Sequence, residues 1–173
     1  MRRLTWIALI TIMMTLGAGC SSSPSPPVSP EVGPRVGAIA PDFTLFALAG
    51  NPITLSGLRG RPVVLNFWTT WCGPCRHEMP YLQEMFEERE NQELAIVAVN
   101  IGESESIVRK FITTRGYTFP IALDQEKHVA LDYEIAAIPT TFLIDQDGII
   151  QAVKIGAFPS KAELVTWLRT IEF

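Results

Sequence analysis

Cys72 and Cys75 stand three residues apart around Gly73 and Pro74, and no other residues of this chain have types and spacing so suited to chemistry. At the first turn of a helix that spacing lets the two sulfurs reach one another, while free backbone N–H groups and the helix dipole favour a thiolate at Cys72. Pro74 suits such a turn, because a first-turn N–H has no intrahelical acceptor to lose. The chemistry that follows is thiol–disulfide exchange. Cys72 attacks a substrate disulfide to form a mixed disulfide, and Cys75 attacks that linkage, releasing reduced substrate and leaving Cys72 and Cys75 joined. Run backwards, the same steps donate a disulfide, and the spacing does not select the direction. A purely structural disulfide and half of a zinc site are the competing uses of the pair. The zinc reading lacks ligands: four soft donors are the norm, Cys20 is remote, His77 is too close in sequence to complete the geometry, and His128 stands alone. No metal is therefore expected. No histidine directly follows Cys75, so the covalent haem motif is absent as well.

The neighbouring elements must present this pair. Val63, Val64, Leu65, Phe67 and Trp68 make residues 61–69 a nearly continuous apolar run, which suits a central strand covered on both faces. A helix is expected over 75–89, which puts the dithiol at a strand-to-helix turn. Residues 43–48 and 52–55 read as short strands about a turn at Gly50 and Asn51, with Ser56 capping a brief turn after them. Further strands are expected over 94–100 and 119–123, and helices over 104–115 and 124–133. The runs 140–144 and 149–156 pair as a hairpin across Asp147 and Gly148. Residues 160–171 carry apolar side chains at helical spacing behind Ser160, with Glu163 three residues on as in a capping box. Alternating strands and helices closed by an antiparallel hairpin imply an α/β sandwich with a mixed sheet.

The amino end is of a different kind. Arg2 and Arg3 precede an apolar run over 4–16, and Gly17, Ala18 and Gly19 lead to Cys20, the anatomy of a secretory signal. The run is shorter than the roughly 20 residues that a membrane-spanning helix needs. Ending immediately before cysteine, the segment resembles a bacterial lipoprotein signal, in which Cys20 becomes the lipidated first residue, although Gly17 stands where such signals usually carry leucine. The expected organisation is a signal over 1–19, a Ser/Pro-rich extended tether over 20–36, and one domain over 37–173. Such a domain is extracytoplasmic and held to the bacterial cell membrane through Cys20, with the outer membrane as the site if the cell has two. With 173 residues, 47% apolar and 18% charged, the chain has the means to bury one core. Its formal charge of -4 and the lack of a Lys/Arg run argue against nucleic acid as a partner.

Residues 66–80, running from Asn66 through Trp71, the two cysteines and Glu78 to Pro80, resemble the active-site region of the thioredoxin superfamily, specifically its membrane-anchored thiol:disulfide interchange branch of the cytochrome c maturation type. The likeness extends from Gly37 to the carboxyl end. Ala40-Pro41-Asp42-Phe43-Thr44-Leu45 and Leu58-Arg59-Gly60-Arg61-Pro62 match the broader AhpC/TSA-like and redoxin grouping. Ile138-Pro139-Thr140-Thr141 matches the loop that faces the dithiol, and Lys154-Ile155-Gly156-Ala157 the closing strand. The resemblance implies a thioredoxin-like three-layer sandwich with a central mixed sheet and an amino-terminal β-hairpin extension. It implies a cis peptide bond before Pro139, with the Ile138 backbone hydrogen-bonding a bound polypeptide, and a helix kinked at Pro80. Glu78 stands where the anchored branch carries a glutamate three residues after its second cysteine. One helical turn from Cys75, it could assist deprotonation of that thiol if burial raises its pKa; the alternative is a solvated glutamate on the helix face. General thioredoxins carry a buried aspartate six residues before the first cysteine, where this chain has Asn66, an orienting group at most. Trp71, Gly73 and Pro74 would contact a polypeptide substrate, whereas Trp68 could equally be core. Arg76 and His77 could favour the thiolate or bind an acidic partner, or simply be solvated.

For function, the resemblance implies an exported, membrane-anchored enzyme, a thiol:disulfide oxidoreductase that reduces protein disulfides and has no cofactor beyond its own Cys72–Cys75 pair. In an oxidising compartment the dithiol must be recharged, which implies a membrane electron-transfer protein as reductant. The implied clients are cytochrome c precursors, whose Cys-x-x-Cys-His motif must be reduced before haem attachment. The rival readings are a thiol peroxidase, a disulfide oxidase or isomerase, and a noncatalytic scaffold lipoprotein. Peroxidases commonly show Pro-x-x-x-Thr-x-x-Cys; Thr69 and Cys72 keep the end of that motif, but Leu65 replaces its proline. A scaffold would leave the cysteine pair without a role.

Overall fold

A computed structural model of the chain describes residues 31–89 and 94–169. Two short antiparallel strands, β1 (Thr44–Phe46) and β2 (Pro52–Thr54), form a hairpin reversed at Gly50, whose φ of 95° an L side chain resists. A 3-10 turn at Ser56–Leu58 leads into β3 (Val63–Trp68), α1 (Gly73–Arg89) and β4 (Ala95–Ile101). There follow α2 (Glu105–Arg115), β5 (Ile121–Asp124), α3 (His128–Asp132), β6 (Thr140–Ile144), β7 (Ile150–Ile155) and α4 (Lys161–Leu168).

The main sheet has the order β5-β4-β3-β6-β7, and β3 pairs parallel with β4 and antiparallel with β6. All six residues of β3 are buried, which explains why the strand reads as a nearly continuous apolar run, broken only by Asn66, rather than an alternating one. Its side chains still alternate between two cores. Val64 and Trp68 join Met79, Leu82, Met85 and Phe158 beneath α1, α2 and α4. Val63, Leu65 and Phe67 face the other way, where the rings of Phe67, Tyr133 and Phe142 pack at centroid separations of 5.0 to 5.9 Å under α3 and the hairpin. Full burial of each such side chain contributes about 1.5–3 kcal/mol of transfer free energy. The result is a thioredoxin-like sandwich with a central mixed sheet and an amino-terminal hairpin.

The helix expected over 124–133 is shorter than its sequence suggests. Asp124 closes β5, and its carboxylate then accepts hydrogen bonds from Val129 N–H at 3.4 Å and Ala130 N–H at 2.8 Å. Lys127 adopts a left-handed φ of 61°, so α3 starts only at His128. At the amino end the chain is hydrogen-bonded into the domain from Glu31 onward, through Ile39 N–H to Glu31 O at 3.0 Å and Gly33 N–H to Ile39 O at 2.9 Å. The expected signal over 1–19, Cys20 and most of the tether lie outside the described residues. Among the described residues no helix is long and apolar enough to cross a membrane.

Candidate active site

The central strand ends at Trp68, and five residues later, at Gly73, the chain enters α1 with its cysteines already joined, Cys72 to Cys75, at a Cα separation of 5.3 Å. Cys75 N–H donates to Cys72 Sγ at 3.1 Å, a first-turn amide with no intrahelical acceptor that is placed to stabilise a thiolate on Cys72. Cys75 is completely buried, whereas Cys72 retains slight exposure, so Cys72 is the sulfur open to an external partner. The Ile138 carbonyl lies 3.7 Å from Cys72 Sγ. The disulfide has no S–H to donate, so this contact becomes a hydrogen bond only for the reduced thiol. The peptide bond between Ile138 and Pro139 is cis, as the resemblance implied. Its turn is tied down by Thr140 Oγ1 donating to Ala137 O at 2.8 Å and by Gly156 N–H donating to Pro139 O at 2.8 Å. Trp71, beside the disulfide, is 71% exposed, while Trp68 is core, packed against Phe111.

One turn along α1 from Cys75, Glu78 is 1% exposed, which rules out the solvated reading. Its Oε1 accepts from Asn66 Nδ2 and its Oε2 from Phe158 N–H, each at 2.9 Å. Asn66 Nδ2 also donates to Thr141 Oγ1 at 2.9 Å, so this asparagine orients the carboxylate against β6. Burial pushes the Glu78 carboxyl up from 4.5 to about 7, with the Phe158 and Asn66 hydrogen bonds and the charge of Lys154 pulling the other way. A carboxyl poised there can hold or release a proton at neutral pH. Pro80, inside α1, leaves the Arg76 carbonyl without its helical donor. His77 turns its ring edge-on to Tyr81 at 5.8 Å, away from any role the structure assigns to the sulfurs.

A second carboxylate at the site carries no local sequence signal. Glu103, in the turn between β4 and α2, accepts hydrogen bonds from Thr70 N–H and Thr70 Oγ1, both at 2.6 Å, and from Asn100 Nδ2 at 2.8 Å. Its setting, Gly-Glu-Ser-Glu-Ser, reads as a solvated turn, and the residue it holds is 33 positions away. A groove of about 360 Å³ beside the disulfide is lined by Trp71, Glu103, Lys127, Leu131 and Ile138. A larger cavity of about 750 Å³ is lined by Leu48, Arg61, Ala95, Arg109 and Phe119, toward the start of β4 and β5, whereas the dithiol follows the far end of β3. The larger space is thus remote from the chemistry. Among the described residues no group of His, Cys, Asp and Glu is clustered to hold a metal ion.

The model of the AhpC/TSA family matches residues 36–153. The chain belongs to that family. It is 42% identical over 137 residues to the thiol-disulfide oxidoreductase ResA of Geobacillus kaustophilus, a match covering 79% of this chain and 78% of that protein. It is 39% identical over 159 residues to the thioredoxin-like protein YneN of Bacillus subtilis, covering 90% and 92%. Among solved structures, StoA from Bacillus subtilis superposes with a TM-score of 0.66 at 32% identity over 73% of this chain and 96% of that one. These likenesses put the chain in the thiol-disulfide interchange branch of the AhpC/TSA family. In this AhpC/TSA-family domain the disulfide, the cis-proline turn and the buried Glu78 converge on the end of the central strand.

Proposed function

We propose that this protein is an extracytoplasmic, membrane-tethered reductant of protein disulfides. It is a thiol-disulfide oxidoreductase, and the observation that carries this is the Cys72–Cys75 disulfide at the amino end of α1, with Cys72 4% exposed and Cys75 fully buried. The shared ancestry with the ResA proteins supports the same activity.

In the reduced enzyme the Cys72 thiolate attacks one sulfur of a client disulfide. The bond between Cys72 and the client forms, the client's own S–S bond breaks, and the departing thiolate takes a proton from water. Cys75 then gives its proton to the ionised Glu78 carboxylate and attacks Cys72 Sγ. The Cys72–Cys75 bond closes, the second client thiolate leaves, and two electrons have passed from enzyme to client. Ile138 and Pro139, beside Cys72, offer the client backbone a strand-like edge, and Trp71, Gly73 and Pro74 supply contact around the entry to the sulfur. Recharging runs the same exchanges in reverse from an external dithiol, for which a membrane electron-transfer protein is the proposed donor. The proposed clients are cytochrome c precursors, and Cys20 is the proposed lipid anchor.

Direction is decided by the reduction potential. Equilibrating the full chain against defined thiol/disulfide buffers should place the Cys72–Cys75 couple near or below about -250 mV. A value near about -120 mV would make the protein a disulfide donor and overturn the proposal. Clients are identified by the mixed disulfides that accumulate on a Cys75→Ser variant in cells, and the absence of cytochrome c precursors among them would remove that client class.

A further inference from the structure

Residues 69–72 link β3 to α1 outside any regular element, so no ladder fixes the backbone that carries Cys72. The internal bond across this link, Cys72 N–H to Thr69 O, is long at 3.4 Å. What holds the link is a side chain from elsewhere. Glu103 Oε2 takes both Thr70 N–H and Asn100 Nδ2, and Oε1 takes the Thr70 hydroxyl. Hydrogen bonds to a carboxylate are roughly twice as strong as neutral ones, and three converge here. The arrangement is anchored at both ends. Asn100 is completely buried and sits opposite Trp68 in the β3–β4 register. Gly102, at φ 68°, turns the chain so that Glu103 returns over the end of β3, and a Cβ there would lie 2.4 Å from Lys127 Cε. Among the described residues no Lys or Arg forms an ion pair with Glu103, whose donors are an amide N–H, a hydroxyl and a carboxamide.

We propose that Glu103 is a positioning residue for disulfide exchange: by clamping Thr70 it fixes the loop that aims Cys72 Sγ at the client disulfide. The inference rests on the reading of Cys72 as the attacking sulfur. In-line attack on an S–S bond is direction-sensitive, and small misplacements of a reacting atom carry large rate losses. The pattern of acceptors separates geometry from charge. In Glu103→Gln the amide oxygen can still accept from Thr70 N–H and Asn100 Nδ2, while the new NH2 donates to the Thr70 hydroxyl, which reverses its role from donor to acceptor. The clamp survives and the charge is gone. In Glu103→Ala both are gone.

The test compares two reactions of Cys72 in the full chain. Alkylation by iodoacetamide, followed against pH, gives the Cys72 pKa and the limiting rate of its thiolate with an unaimed reagent. Reduction of a disulfide-bonded peptide, with rates corrected to the thiolate fraction, reports the aimed attack. For Glu103→Ala the limiting alkylation rate should stay within about twofold of wild type, while the corrected exchange rate falls by about tenfold to a hundredfold. Glu103→Gln should restore exchange to within about threefold of wild type. Equal exchange in wild type and Glu103→Ala would overturn the inference, as would a Gln variant as slow as the Ala variant. If Glu103→Ala does not fold, Thr70→Val, which deletes the hydroxyl and keeps the N–H, carries the same test with a smaller expected loss of about threefold; no loss there would count against the clamp. A Cys72→Ser variant that still exchanges would instead sink the underlying reading of the nucleophile.

Discussion

At Glu78 the fold has exchanged water for two donors, the Asn66 carboxamide and the Phe158 backbone N–H, and they do not fully replace it. With the pKa raised from 4.5 to about 7 by burial, the folded protein keeps a proton that the unfolded chain releases between those values. The stability tied to the neutral carboxyl is therefore fully present below about pH 4.5 and is lost as the pH rises through about 7, a total of about 3 kcal/mol. Glu78→Gln abolishes this dependence. Its absolute stability is a poor reporter, because the amide NH2 cannot accept from Phe158 N–H, and an unsatisfied buried donor costs about 1–3 kcal/mol. The slope is the clean readout. Urea unfolding of the oxidised protein at pH 5 and pH 8 should show a steeper loss for wild type than for the Gln variant, and parallel profiles would mean that Glu78 titrates normally. In kinetics the same carboxylate should give resolution of the mixed disulfide a half-maximum near pH 7, and Glu78→Gln should slow that step about a hundredfold at neutral pH.

Helices α1 and α4 meet over this carboxylate, and α4 owes its start to Ser160, whose Oγ accepts from Glu163 N–H at 3.2 Å. Ser160→Ala should cost about 1 kcal/mol, read from the urea midpoint. Phe158 is held by complete burial and by the Trp167 ring at 5.3 Å toward the carboxyl end of α4, contacts that the loss of the cap leaves in place, so the pH midpoint assigned to Glu78 should stay where it is. A shift of that midpoint would mean that the cap, not the packing, sets the loop. Elements of this kind were legible in the sequence where one local pattern settled them: the nearly continuous apolar run of β3, the cysteine pair before a helix, the Asp147-Gly148 hairpin, and Ser160 with Glu163. The limits of α3 were not, because Asp124 ends a strand and caps a helix at once. Glu78 follows Arg76 and His77, so its own neighbourhood reads as a wet helix face, and only the family likeness pointed inward. Its burial is made by a loop 80 residues away. Glu103 had neither a local pattern nor a family motif behind it, since its function is defined by Thr70 across 33 residues.

The whole molecule has to meet a constraint that no single element states: a dithiol that gives its electrons away must be less favoured by the fold than its disulfide. The proposed tether would set where this happens. Cys20→Ser should move the protein from the membrane pellet to the soluble fraction and abolish fatty-acid labelling, and unchanged fractionation would remove the lipid anchor from the proposal. The fold sets how strongly. Cys75 is fully buried with Met79, Leu82 and Phe158 in the same apolar cluster, a setting that raises the energy of a thiolate there and leaves an uncharged disulfide unharmed. Cys72 keeps the single N–H donor it already has in the disulfide, against the several that water would provide a thiolate. Reduction therefore replaces a compact apolar bridge by a buried Cys75 thiol that the site solvates poorly and a Cys72 thiol whose only new partner among the described residues is the Ile138 carbonyl. By the thermodynamic cycle linking folding to redox, a couple more reducing than its unfolded counterpart requires the oxidised fold to be the more stable one. Each 30 mV of that difference corresponds to about 1.4 kcal/mol. Urea unfolding of the oxidised and fully reduced full chain should accordingly give the higher midpoint to the oxidised form, with similar slopes and a gap of about 1–3 kcal/mol. A reduced form that outlasts the oxidised one would identify a fold built to give a disulfide away, whatever its relatives do.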